Sequence, residues 1–210
     1  MSELISTNFD IKVSNLQGRK AQIVKVAAGL FVKQGYLKTS IRQIAHGCGI
    51  SMGTLYNYIH SKDDILSLFQ EVTMSLLENA AKVLTPTLEQ MPPADALKYA
   101  IKEYLRSIDE YQDIVVFWYQ EAKNLQPNHL VKLFQLEEFN AELFKKLLMR
   151  GCEAGKFKIG DLTLASHTIV VLCDMWAFRR WFLRKYYTLE QYTQELTALI
   201  FSGISNTWSK

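Results

Sequence analysis

The sequence predicts an all-α chain: a small three-helix head followed by a larger helical domain. Apolar residues recur at three- and four-residue intervals over most of the chain, and no stretch alternates convincingly enough to be a half-buried strand. Four prolines and ten glycines in 210 residues leave room for long helices. A hydrophobic content of 49% with 21% charged residues excludes disordered and collagen-like chains, and no repeat or low-complexity segment interrupts the pattern. The expected division is a flexible arm over residues 1–18, a helix-turn-helix over 19–66 and a helical domain over 67–210.

The elements follow in order. From Arg19 to Gln34 the apolar positions Ile23, Val26, Ala27, Leu30 and Phe31 keep helical spacing, and Gly35 is placed to adopt the left-handed conformation that ends helices. Ser40 caps a second helix carrying Ile41, Ile44 and Ala45, which stops at Gly47, Cys48 and Gly49. Ser51 caps a third, holding Leu55, Tyr56 and Tyr58; Ser61 caps a fourth, with Asp63 and Asp64 favouring the positive end of its dipole. Beyond it the pattern predicts helices over about 61–83, 94–109, 113–125, 129–153, 161–186 and 189–206, with Pro86, Pro92, Pro93 and Pro127 between them.

Two short helices around a glycine turn suit the major groove of B-DNA, one bracing the other against it. Ala45 is small where the helices cross, Gly49 permits positive φ, and Ile50 and Leu55 supply an inner apolar face. The outward set is then Ser51, Met52, Thr54, Tyr56, Asn57, Tyr58 and His60, flanked by Ser40, Arg42 and Lys62. These hydroxyls, amides and cations suit phosphates and base edges, and Lys62 stands beside a helix start that already attracts phosphate. Net charge agrees: of the formal +3, residues up to Leu66 carry 8 basic and 4 acidic groups, the remainder 16 and 17. The expected partner is double-stranded DNA.

The ordered run Ile44, Ala45, Gly49, Ile50, Ser51, Met52, Gly53, Thr54, Leu55, Tyr56, Asn57, Tyr58, Ser61 and Lys62, preceded by Ile23, Ala27, Ala28, Leu30, Phe31 and Gly35, resembles the TetR/AcrR family of bacterial transcription regulators. The match covers about Arg19 to Leu66. Ile59 stands where an aromatic is usual, and Gly47 and Cys48 replace two alanines. The resemblance implies base or groove contacts from Met52, Gly53, Thr54 and Tyr58, phosphate contacts from Ser40, Tyr56 and Lys62, and either role for Arg42. It further implies a C-terminal helical ligand-binding and dimerisation domain, a homodimer on a pseudo-palindromic operator, and a repressor released by a small effector. That effector is expected to be apolar or amphipathic, a fatty acyl thioester being one such molecule. Gly151, Gly155 and Phe157 resemble a helix ending frequent in the family, and Ile169, Leu172, Met175 and Trp176 with Leu196, Leu199 and Ile200 suit a dimer seam.

Other chemistries fit less well. Gly49 to Gly53 matches the G-x-S-x-G nucleophile elbow, but a helix precedes Ser51 where a strand is required, so the serine reads as a cap and no catalytic residue is assigned. His46, His60, His129 and His167 lack second ligands at i+4, so neither a metal nor a cofactor is expected. Three cysteines, Cys48, Cys152 and Cys173, are odd in number and suit small buried residues in a reduced cytoplasm. Met1 to Asp10 lacks the pattern of a secretory signal, and Thr168 to Cys173 falls far short of the about 20 apolar residues of a membrane span. Phe117, Trp118, Tyr119 and Glu121, with Cys173 and Trp176, are candidates to line a ligand pocket, ordinary core packing being the equal alternative. Arg179, Arg180, Arg184 and Lys185 around Trp181 and Phe182 suit either an acidic ligand or a solvated helix face. A helical enzyme and a protein adaptor remain the competing classes; salt-dependent duplex binding separates both from a regulator.

Overall fold

The computed structural model describes residues 18–204, so the expected arm lies outside the described residues except for Gly18. All regular elements among the described residues are helical.

Helix α1, Arg19–Gln34, buries Ile23, Val24, Ala27, Ala28 and Phe31 along one stripe. It ends at Gly35, whose N–H returns 2.8 Å to the Phe31 carbonyl. The positive φ foreseen there is present at 87°, but ψ is 154° rather than left-handed helical, a region open essentially to glycine alone. Helix α2, Ile41–Gly47, starts with a reciprocal capping box: the Ser40 hydroxyl accepts from the Gln43 backbone N–H, and the Gln43 side chain accepts from the Ser40 backbone. A methyl group on Gly47 would come within 2.6 Å of Val26 Cγ1, which explains glycine where α1 and α2 pack. Gly49, at φ 65°, turns the chain into α3, Met52–Tyr56.

The later helices depart from expectation in three places. Helix α4, Lys62–Gln90, runs through Pro86 instead of stopping at Val83. Its far end is held by Arg150, which donates to the carbonyls of Leu88 and Met91 at 2.9 and 2.8 Å, so one missing ladder bond does not end it. The two helices expected on either side of residue 111 are one, α5, Pro93–Glu121, with only Tyr111 leaving helical geometry (φ −108°, ψ 20°). Conversely, the helix expected over 161–186 breaks at Arg179 (φ −111°, ψ 23°) into α7, Leu162–Phe178, and α8, Arg180–Tyr186. Between α5 and α7, α6, Pro127–Glu153, begins on a proline whose missing N–H costs nothing at that position. Past its end the Phe157 ring folds back where a Gly151 side chain would stand, 2.0 Å from an added Cβ. Helix α9, Leu189–Ile204, closes the described chain.

The chain forms two compact units, each drawn from separated stretches. The first comprises residues up to Glu78 together with Val116–Gln135; the second comprises Asn79–Val115 and Leu136 onward. In the first, Phe31 stacks on Phe117 at 6.1 Å between centroids, and Phe69 meets Phe117 and Trp118 at 5.7 and 4.8 Å. Rings buried this way contribute about 1.5–3 kcal/mol each by desolvation. The second unit closes over Leu97, Ile101, Leu105, Phe144, Leu148, Cys173 and Trp176, with the Trp176 indole N–H donating 2.7 Å to Asp109. Among the described residues no helix is long and apolar enough to cross a membrane.

Candidate nucleic-acid interface

The interface grows from α3, a helix of five residues that cannot hold itself together. Three residues in and beside it fix it. The Ser51 hydroxyl accepts from the Thr54 N–H at 3.0 Å, capping the first turn. Leu55, with no exposed surface, anchors its inner side. Ile59, 2% exposed, seals the segment after it, taking an aliphatic side chain where the family pattern has an aromatic.

With that side fixed, the opposite side faces solvent. Tyr56 and Tyr58 are 44% and 38% exposed, Gly53, Asn57 and His60 are exposed, and Met52 and Thr54 are half-buried. A Cβ on Gly53 would meet only the Ser51 hydroxyl, 3.9 Å away, so the start of α3 is open to close approach. At the start of α2, the cap residue Ser40 and Arg42 are also exposed.

Lys62 stands differently. Its ammonium donates to the carbonyls of Tyr36 and Thr39 at 2.9 and 3.0 Å and lies 4.2 Å from the Tyr36 ring centroid. Burial lowers its pKa, partly offset by Asp63 and Glu121. The lysine therefore ties the α1–α2 turn to the start of α4, leaving at most one of its three N–H groups for a phosphate. The same turn is held by Asp63, which accepts from the Tyr36 hydroxyl, and by Glu121, which accepts from the Tyr36 backbone N–H at 3.3 Å. Burial, with Asp63 beside it, raises the Tyr36 pKa well above the phenolic range. At the head of α4, Asp64 accepts from the N–H groups of His60 and Ser61 while the Ser61 hydroxyl accepts from the Asp64 N–H. A side-chain hydrogen bond from Ser61 to the Asp64 carboxylate, followed by the two backbone N–H groups, holds the Asp64 pKa below its ordinary value against the opposing effect of burial.

A model of bacterial regulatory proteins of the tetR family matches residues 23–68, and a model of the tetracyclin repressor-like C-terminal domain matches residues 90–204. The chain belongs to the TetR family. It is a DNA-binding transcriptional regulator, not an enzyme. Its relatives include the HTH-type transcriptional regulator HbdR of Aromatoleum sp. (strain CIB), 29% identical over 182 residues that span 86% of this chain and 78% of that protein. FadR from Bacillus subtilis, solved in complex with stearoyl-CoA, is 19% identical with a TM-score of 0.71, covering 87% of this chain and 97% of that one. AibR, solved in complex with isovaleryl coenzyme A and operator DNA, is 18% identical with a TM-score of 0.72 over 88% and 98%. At these identities the two solved structures speak for the shared fold.

The other candidate residues of this TetR-family chain fall as follows. Phe117 and Trp118 are buried in the aromatic cluster of the first unit, Glu121 is spent on Tyr36 and Asn124, and Tyr119 is 66% exposed. In the second unit Cys173 has no exposed surface and Trp176 only 2%. Ile169, Leu196 and Ile200 turn inward in their own unit, Leu172 and Met175 are half-buried, and Leu199 is 62% exposed. The outward apolar positions that periodicity passed over are Leu164 and Val171, seven residues apart on α7 and 67% and 54% exposed. Their spacing was a usable signal, but α7 is apolar on several sides and the pattern alone does not say which one faces out.

Proposed function

We propose that this TetR-family regulator is a repressor that binds a pseudo-palindromic operator as a homodimer and leaves it when a small amphipathic effector binds the helical second domain. The observation that carries the reading is the open, polar and aromatic side of α3 on a base fixed by Leu55 and Ser51. Met52, Gly53, Thr54 and Tyr58 are assigned to base edges and the groove. Ser40, Ser51, Tyr56, Asn57, His60 and the remaining N–H of Lys62 are assigned to phosphates, with Arg42 available to either. A dimer places two such helices in successive major grooves, about 34–36 Å apart or a multiple of it. The outward apolar residues Leu164 and Val171 of α7 and Leu199 of α9 supply a patch for the second copy.

For the effector, the complexes of FadR with stearoyl-CoA and of AibR with isovaleryl coenzyme A favour a coenzyme A thioester. A thioester that prefers the DNA-incompetent conformation by about 1–3 kcal/mol lowers operator occupancy five-fold or more. The test is duplex selection from genomic fragments, then fluorescence anisotropy across a salt series with and without stearoyl-CoA or isovaleryl-CoA. Replacing Arg42 and Tyr56 together by alanine is expected to weaken operator binding: the Tyr56 part falls on all duplexes alike, while the Arg42 part lowers the salt slope by about 1 where it neutralises a phosphate and relaxes sequence preference where it reads a base. Salt-independent binding, or a double variant that binds as wild type, overturns the assignment.

A further inference from the structure

The start of α1 brings a cation to the turn that leads into α3. Arg19 is exposed, and its guanidinium donates 2.8 Å to the side-chain oxygen of Gln22, one turn on. The Gln22 amide in turn donates 3.2 Å to the backbone carbonyl of Cys48, across 26 residues of chain. The charge is felt there: burial pushes the Cys48 thiol pKa up, and Arg19 pulls it part of the way back. Cys48 stands three residues before the Ser51 cap of α3. Between them Gly49 is exposed, with nothing within 4 Å of the place a side chain would take. Two hydrogen bonds in series thus hold Arg19 beside the open end of α3, from outside the helix-turn-helix pair. The choice of partner matters. A carboxylate at position 22 would grip the guanidinium and cancel its charge, whereas glutamine aligns it and leaves the charge whole. No acidic residue stands between Asp10 and Asp63 to answer it from nearby sequence. A single (i, i+3) bond on an exposed helix surface adds little to the helix. Support of α1 therefore does not account for an aligned cation without a counter-charge.

Resting on the reading of α3 as the recognition helix, we propose that Arg19 holds a backbone phosphate at the edge of the groove that α3 enters, that Gln22 positions it there, and that operator contact therefore extends to the start of α1. A recognition helix enters the groove by its first residues while the element before it crosses the backbone, so a group beside the intervening turn meets the phosphate rim. One guanidinium N–H is given to Gln22, and those that remain form a fork that matches phosphate oxygens. Such a contact fixes register and carries no sequence information. A free anion is the poorer match, because one exposed cation without a pocket does not retain it, whereas a duplex seated on α3 brings the phosphate to the cation.

The experiment uses the full chain with the operator duplex recovered by genomic selection and a scrambled duplex, affinity being followed over about 50 to 200 mM salt. Arg19→Gln, which keeps a hydrogen-bonding side chain without the charge, is expected to weaken both duplexes by the same factor and to reduce the salt slope by about 1 per chain. Arg19→Lys is expected to restore the slope. Gln22→Leu keeps the charge and loses its placement, so affinity should fall about two- to ten-fold, the size of one lost hydrogen bond, with the slope unchanged. Added to Arg19→Gln it should weaken binding no further, since both substitutions remove the same contact. Melting temperatures are expected to stay at the wild-type value. A wild-type salt slope in Arg19→Gln overturns the phosphate contact and leaves the reading of α3 standing. A Gln22→Leu effect that persists in full without Arg19, or that alters the preference between duplexes, overturns the positioning role and assigns Gln22 to the α2–α3 turn. A wild type whose duplex binding ignores salt overturns this proposal and the reading of α3 together.

Discussion

Helices α3 and α8 both set aromatic rings in solvent from fewer than eight residues, yet they are supported in opposite ways. In α3 the Ser51 cap and the sealed Leu55 fix the backbone, so Tyr56 and Tyr58 are displayed from a pre-set frame. Helix α8 has no side-chain cap, buries no residue and is tethered by the partly exposed ion pairs Arg180–Asp113 and Arg184–Asp109, a kind of pair worth about 0–1 kcal/mol. Reading a groove edge needs rings already in position.

Substitutions break this contrast if it is mistaken. The largest effect is expected from Leu55→Ala, which leaves a cavity under α3 and costs about 2–5 kcal/mol in chemical denaturation; a loss under about 1 kcal/mol would mean that α3 is no better founded than α8. Next is Asp174, on α7 just before the break that starts α8. Burial pushes its pKa up to about 7, although the Tyr104 hydroxyl, 3.3 Å away, pulls it down. The folded chain then keeps a proton that the unfolded chain releases near the ordinary aspartate value of about 3.9, so stability falls as pH rises between those two values. Asp174→Asn should remove that decline and raise stability at pH 8 by roughly 1–3 kcal/mol, read from melts at pH 5 and pH 8. Ser51→Ala removes the cap and should cost about 1 kcal/mol. Smallest of all, Trp181→Ala should change stability by no more than about 0.5 kcal/mol, because the ring is 72% exposed.

How much was legible in the sequence follows the range of the interactions. Ser40, Ser51 and Ser61 each bond within three residues of themselves, so their helix starts were readable from the caps alone. The bounds of α1 came from periodicity and Gly35 for the same reason. What escaped was carried by distant partners. Glu121 reaches the Tyr36 N–H across 85 residues, and no local pattern marks a pocket candidate as a strut for the head. Lys62 is cationic beside a helix start, which invites a phosphate, but two backbone carbonyls brought by the α1–α2 turn take most of its donors. On α7, apolar residues lie on both inward and outward sides, so Ile169 and Val171 look alike in sequence while one is 3% and the other 54% exposed.

The composition of the first unit bears on how the protein is born. Phe31 and Phe69 share their core with Phe117, some forty residues further along the chain than the last of the head's continuous stretch. At about 5–20 residues per second of synthesis, those rings wait several seconds on the ribosome before their cover emerges. A gene truncated after Glu78 would therefore yield a chain whose Phe31 and Phe69 lack their cover, prone to capture by chaperones, rather than a portable DNA-reading cassette.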